Sequence, residues 1–205
     1  MKKITLFICV LCFVSCQQNK KESTIDTSHS ITDSIFNEIT KPIEEPKIDS
    51  ARVKELKPFF NFKKDEFENY TWVIPKNSPK YIDVNGIYCY FALNGTTASN
   101  LRLKIQYAAD DWLFIQSYKF SIDGMTYDYT PDNIERDNDS SIWEWSDKRL
   151  DMYDQSLINA LLMAKKAKIR FVGKQYHKDK TITQQQLLSI KRTVQLYRIM
   201  GGSIQ

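Results

Sequence analysis

The stretch Tyr118-Lys119-Phe120-Ser121-Ile122-Asp123-Gly124-Met125-Thr126-Tyr127-Asp128-Tyr129 decides the fold. Asp-Gly supplies the positive φ that a two-residue hairpin loop needs, and apolar residues alternate with polar ones on either side of it. Such a loop pairs Ile122 with Met125, and each step outward moves one residue along both strands. The expected register sets Phe120 opposite Tyr127 and Tyr118 opposite Tyr129 on one face. Lys119 then meets Asp128, and Ser121 meets Thr126, on the other. A slip of one residue would put Tyr127 against Lys119 or Ser121 and mix the faces, losing every aligned pair at once.

The same alternation extends upstream. Trp112, Phe114, Tyr118, Phe120 and Ile122 are expected on one face of a strand over Trp112–Ile122. Leu101, Leu103, Ile105 and Tyr107 alternate with Arg102, Lys104 and Gln106, and Ile87–Leu93 is apolar on both faces, as a central strand is. Asn85-Gly86 predicts a hairpin from a strand Lys80–Val84 into Ile87–Leu93, and Asn94-Gly95 opens a polar loop ending at Asn100. Tyr70–Ile74 is a strand stopped by Pro75, and Ile142–Trp145 a short further one.

Downstream the period becomes helical. Leu150, Tyr153, Leu157, Leu161 and Ala164 mark one helix face, with Asp147 as its cap. Lys168–Val172 returns to strand, with Ile169 and Phe171 on one face. Thr183 and Gln186 form a capping box ahead of the stripe Leu187, Ile190, Val194 and Tyr197, and Gly201-Gly202 ends that helix. The fold expected is α+β, an antiparallel sheet of hairpins with two C-terminal helices packed on one face.

The chain has 205 residues, 42% hydrophobic and 26% charged, with a net charge of +4. These values exclude a wholly disordered chain and a polytopic membrane protein. Met1-Lys2-Lys3 followed by an apolar run from Ile4 to Ser15 has the proportions of a secretory signal, too short for a normal spanning helix. Phe13-Val14-Ser15-Cys16 resembles the lipobox of bacterial lipoproteins, with Phe13 where Leu is usual. The resemblance implies cleavage before Cys16, lipid on its sulfur, and attachment to a membrane.

Residues 17–58 hold three of the six prolines, no glycine and one aromatic, Phe36. Such a segment buries too little apolar surface to offset the entropy of ordering it. The organisation expected is therefore a signal peptide at 1–15, a lipid-anchored disordered tether at 16–58 with room for a short helix around Ser50–Leu56, and a globular domain at 59–205. Beyond the signal and Cys16, Cys89 is the one remaining thiol, and its apolar surroundings make it a core residue.

Tyr107-Ala108-Ala109-Asp110-Asp111-Trp112-Leu113-Phe114-Ile115, Ile142-Trp143-Glu144-Trp145 and Lys168-Ile169-Arg170-Phe171-Val172-Gly173 resemble a domain that recurs in uncharacterised bacterial exported proteins. The resemblance covers about Asp65–Tyr197 and carries no activity or functional residue with it.

Catalytic constellations are scarce. His29 and His177 are the only histidines, no Gly-x-Ser-x-Gly accompanies a serine, and there is no glycine-rich phosphate loop. Asp137-Asn138-Asp139 begins like a calcium loop, but Ile142 and Lys148 stand where Gly and Glu belong. Asp110, Asp111, Glu144 and Asp147 suit a glycan-hydrolysing carboxylate pair by residue type alone, and Glu144 reads as the polar side of a strand.

Aromatics and charge are the remaining signals. Trp72, Trp112, Trp143 and Trp145, with eleven tyrosines, suit a sugar-stacking platform by residue type, but most alternate in phase with aliphatic residues as core aromatics do. Trp143 and Trp145, which share one face of a short strand beside an acidic loop, are the better candidates. Residues 110–154 carry twelve acids against four bases, and residues 163–198 ten bases against Asp179 alone. The two blocks either pair with one another or form separate solvated surfaces, one of which would suit an anionic polymer. Lys165, Lys166, Arg170 and Lys174 are the cationic candidates. The expectation is a lipid-anchored cell-envelope protein without cofactor or metal. It would be non-enzymatic, binding an envelope protein or anionic polymer and no nucleic acid. The alternatives are a small envelope hydrolase and an immunity or inhibitor lipoprotein.

Overall fold

A computed structural model describes residues 49–205. The expected signal peptide, lipidation at Cys16 and tether as far as residue 48 lie outside the described residues. The elements, in chain order, are α1 (Ser50–Leu56), β1 (Phe60–Lys64), β2 (Thr71–Pro75), β3 (Gly86–Asn94), β4 (Thr97–Ala109), β5 (Ile115–Ile122), β6 (Met125–Tyr129), β7 (Glu135–Asn138), β8 (Ile142–Arg149), α2 (Gln155–Met163), β9 (Ala167–Gly173), β10 (His177–Ile182) and α3 (Gln184–Ile199). The fold is α+β. Its strands form two antiparallel sheets, ordered β1-β2-β3-β4-β8-β7 and β10-β9-β5-β6.

The decisive hairpin has the register read from the sequence. Phe120 pairs with Tyr127, Tyr118 with Tyr129, Lys119 with Asp128, and Ser121 with Thr126. Asp123 and Gly124 take φ of 47° and 95°, and Lys119 Nζ lies 2.6 Å from Asp128 Oδ1. The Asp123 carboxylate also accepts the backbone N–H groups of Lys165 and Lys166, which hold its pKa below the usual range. The turn is thereby tied to the start of β9.

Inward-facing side chains of both sheets make the core, with Leu103, Ile105, Phe91 and Cys89 from the larger and Tyr118, Phe120, Ile169 and Phe171 from the smaller. Tyr107 meets Phe171 across the sheets at 5.2 Å between centroids. α3 packs on β3 and β4, where Tyr197 lies edge-on to Phe91, and α2 packs on α3. The capping box at Thr183 and Gln186 is formed as expected, and Leu187, Ile190, Val194 and Tyr197 are buried. Burial raises the Cys89 thiol to about 12, which keeps it protonated and inert.

Several local expectations are corrected. Lys80–Val84 is no strand. Gln106 Nε2 donates to the carbonyls of Tyr81 and Ile82, and the Asn85 side chain bonds both N–H and C=O of Ala108, so side chains substitute for a ladder there. Gly86 is required because a Cβ would stand 2.5 Å from Pro79 Cγ, not for a turn. Residues 94–100 form no polar loop. β3 and β4 join through Gly95 and Thr96, Asn94 pairs with Thr97, and the ladder shifts register between Tyr90 and Ala92.

Trp112 and Phe114 lie outside β5. A register shift between Ile115 and Ser117 reverses the phase, so Leu113 and Ile115 turn inward. Asp147 caps no helix, because β8 runs on to Arg149; Asp151 caps a short 3-10 turn, Met152–Asp154, that leads into α2, and Tyr153 is 85% exposed. Two polar strands, β7 and β10, carried no alternation to announce them. Residues 49–58 belong with the folded unit rather than the tether: α1 packs on α3 and Leu56 is 2% exposed.

Candidate binding face

Helices and the smaller sheet cover one face of the six-stranded sheet, leaving the other open. Strand alternation places Lys63, Trp72, Ile74, Tyr88, Tyr90, Arg102, Lys104, Trp143, Trp145 and Asp147 on this outer face. Trp143 and Trp145 are therefore half-buried residues of an open face. Tyr70, Trp72, Tyr90 and Tyr88 form a run of ring contacts with centroids 5.0, 5.2 and 6.1 Å apart. Trp72, Ile74, Tyr88, Tyr90 and Lys104 line a shallow depression of about 300 Å³.

A polar network fixes the middle of the face. Asp147 accepts from Tyr90 Oη at 2.6 Å through Oδ2 and from Arg102 Nε at 2.7 Å through Oδ1, and Lys104 Nζ is 3.7 Å from Oδ2. Arg102 also donates to the Asp147 carbonyl. Burial, then the nearby Asp147 charge, pushes the Tyr88 phenol up to about 12, and burial raises Tyr90 as well. Both phenols therefore remain neutral donors at physiological pH.

Glu144 is not the polar side of its strand. Its side chain is fully buried and accepts N–H groups from Leu113, Phe114 and Ile115 at 2.9, 2.8 and 2.7 Å. Arg136 Nε completes the set at 2.9 Å and its other nitrogens hold the carbonyls of Ile134 and Ile115. This clasp keeps Phe114 at φ 52°, a conformation unusual for a bulky residue, with its ring stacked on Trp112. Glu144 is thus buried with both oxygens engaged, Asp147 is held on the outer face by Arg102, Lys104 and Tyr90, and Asp110 and Asp111 stay exposed between β4 and β5. His177 is exposed on β10.

The cationic candidates are not brought to the tryptophans. Arg170 stands on the outer face of the smaller sheet, doubly hydrogen-bonded to Asp179 at 2.7 Å. Lys165 and Lys166 follow α2, and Lys174 lies in the β9–β10 turn, all exposed. Among the described residues no ion pair joins the acidic block to the basic one; pairs such as Lys119–Asp128, Lys148–Asp154 and Arg170–Asp179 close within each. No group of three or more His, Cys, Asp or Glu side chains among the described residues is placed to hold a metal ion.

Sequence reasoning read Trp72, Tyr88 and Tyr90 with the core aromatics and did not single out Arg102. The signal available was the alternation of Tyr88 and Tyr90 with Cys89 and Phe91, which assigns the tyrosines to one face without saying whether anything covers it. Comparison of the chain with known protein families, curated proteins and solved structures finds no match.

Proposed function

We propose that the protein is a lipid-anchored, non-enzymatic binding module of the cell envelope. Lipid on Cys16 holds it to a membrane, and the outer face of its six-stranded sheet takes an envelope polymer. The observation that carries this reading is the set of part-exposed aromatics Trp72, Tyr90, Trp143 and Trp145, with Tyr88 buried at Tyr90's end of the run, interleaved with Arg102, Lys104 and Asp147. A glycan chain has the matching alternation, with flat C–H ring faces to stack on aromatics and hydroxyls to reach the charged groups between them.

The test is co-sedimentation of the full chain with isolated insoluble envelope polymer. Trp72→Ala and Trp145→Ala should each weaken binding about tenfold, the loss of one stacking contact worth about 1.4 kcal/mol. Unchanged binding in both folded variants would refute the face. Loss of lipid labelling on Cys16→Ser tests the anchor separately.

A further inference from the structure

Among the described residues, the carboxylates that stand within strands are Asp128, Glu135, Asp137, Glu144, Asp147 and Asp179. Most of them have a base. Lys119 holds Asp128, Arg136 holds Glu144, Arg102 and Lys104 hold Asp147, and Arg170 holds Asp179. Glu135 and Asp137, both exposed on β7, pair with no base among the described residues. Asp137 Oδ1 accepts the neighbouring N–H of Asn138.

Indoles stand where the bases would be. The β7–β8 ladder sets Glu135 opposite Trp145 and Asp137 opposite Trp143, and cross-strand partners share a face with Cβ atoms about 5 Å apart. Both tryptophans are part-exposed. On their other side β4 places Gln106 opposite Trp145 and Ala108 opposite Trp143, so no base flanks either ring. Arg136, between the two acids in sequence, reaches instead to the inner side and Glu144. Arg102 and Lys104 are drawn to Asp147, Lys63 is on the opposite edge strand, and Arg149 is about 13 Å along β8 from Trp145. An indole face carries the negative end of its quadrupole and attracts a cation, as does an ionised carboxylate beside it. An anionic ligand would be repelled by both. Protecting an edge strand calls for charge, but not for an indole opposite each charge.

We infer that this end of the outer face selects the free amino group of an amino sugar. The sugar ring stacks on Trp145 or Trp143, and its ammonium meets Glu135 or Asp137. The inference rests on the reading that the outer face takes a glycan, and it names the charge of the sugar. The amine sits one bond from the sugar ring, so a ring lying on an indole holds it within the cross-strand spacing of the carboxylate. A lysine side chain carries its ammonium on a flexible stem and has no flat ring to stack.

The full chain is titrated calorimetrically with a glucosamine tetramer and with its fully N-acetylated counterpart, which offer the same ring faces and differ in charge. At about pH 5.5 the amines are protonated and the carboxylates ionised. The amine tetramer should bind about fivefold tighter or more, from cation–π and ion-pair contacts together. The double change Glu135→Gln and Asp137→Asn, at exposed positions, should abolish that preference and leave the affinity for the acetylated tetramer unchanged. Glu66→Gln with Glu68→Gln, which removes the same charge from the β1–β2 loop, should keep it. A preference that survives the first pair of changes, or falls equally with the second, overturns the inference. So does competition by tetralysine as strong as by the amine tetramer. Equal binding of both tetramers, reduced alike by Trp145→Ala, sinks the amine selection and leaves the glycan face standing. Binding of neither tetramer also sinks it, while sedimentation of Trp72→Ala with the polymer decides the face.

Discussion

Glu144 shows how much a single side chain can organise. A buried carboxylate is tolerated only when its charge and lone pairs are met, and here three backbone N–H groups and Arg136 meet them. Glu144→Gln removes the charge opposite Arg136 and turns one acceptor into a donor facing N–H groups. A loss of about 3–5 kcal/mol is expected, as for other buried pairs deprived of one partner. The shift of the urea midpoint measures it, and a loss below about 1 kcal/mol would show that the clasp is not structural. The same residue shows what spacing hides. Glu144 between Trp143 and Trp145 reads as a polar face, yet β8 puts the acid inside and the tryptophans outside.

Strands were legible where alternation and turn chemistry agreed. The Asp123-Gly124 hairpin satisfies both, so β5 and β6 took the expected register. Neither signal marks β10, whose His177-Lys178-Asp179-Lys180 run is polar throughout and is recruited by backbone pairing with β9. Between these two strands and the 111–114 loop the critical residue is Gly173. A Cβ there would stand 2.2 Å from the Leu113 carbonyl oxygen and 2.7 Å from its Cγ. Because a backbone atom must give way, Gly173→Ala should cost about 1–3 kcal/mol by overpacking. Thermal unfolding tests this, and an unchanged midpoint would mean that the loop adjusts freely.

At the scale of the molecule, the six-stranded sheet has one face sealed by α3 and the smaller sheet and the other open to solvent. The seal extends to α1, whose Leu56 joins the core. Leu56→Ala should therefore destabilise the whole unit by about 2–5 kcal/mol, as core truncations do. Limited proteolysis should leave Ser50–Leu56 attached to the resistant core. Rapid trimming to Phe59 with no change in stability would return this segment to the tether.

The sequence by itself determined the α+β class, the Asp123-Gly124 register, the capped α3 and the inert Cys89, because turn dihedrals, side-chain periods and capping are local. Local pattern assigns a residue to a face but is silent on what lies across from it. Only the tertiary structure decided that Tyr88 and Tyr90 look outward with Trp145 and that Glu144 is buried. It also decided that the acidic and basic blocks close their ion pairs separately. Each of these depends on strands distant in sequence being stacked, and burial, ion pairing and desolvation are properties of that stacking.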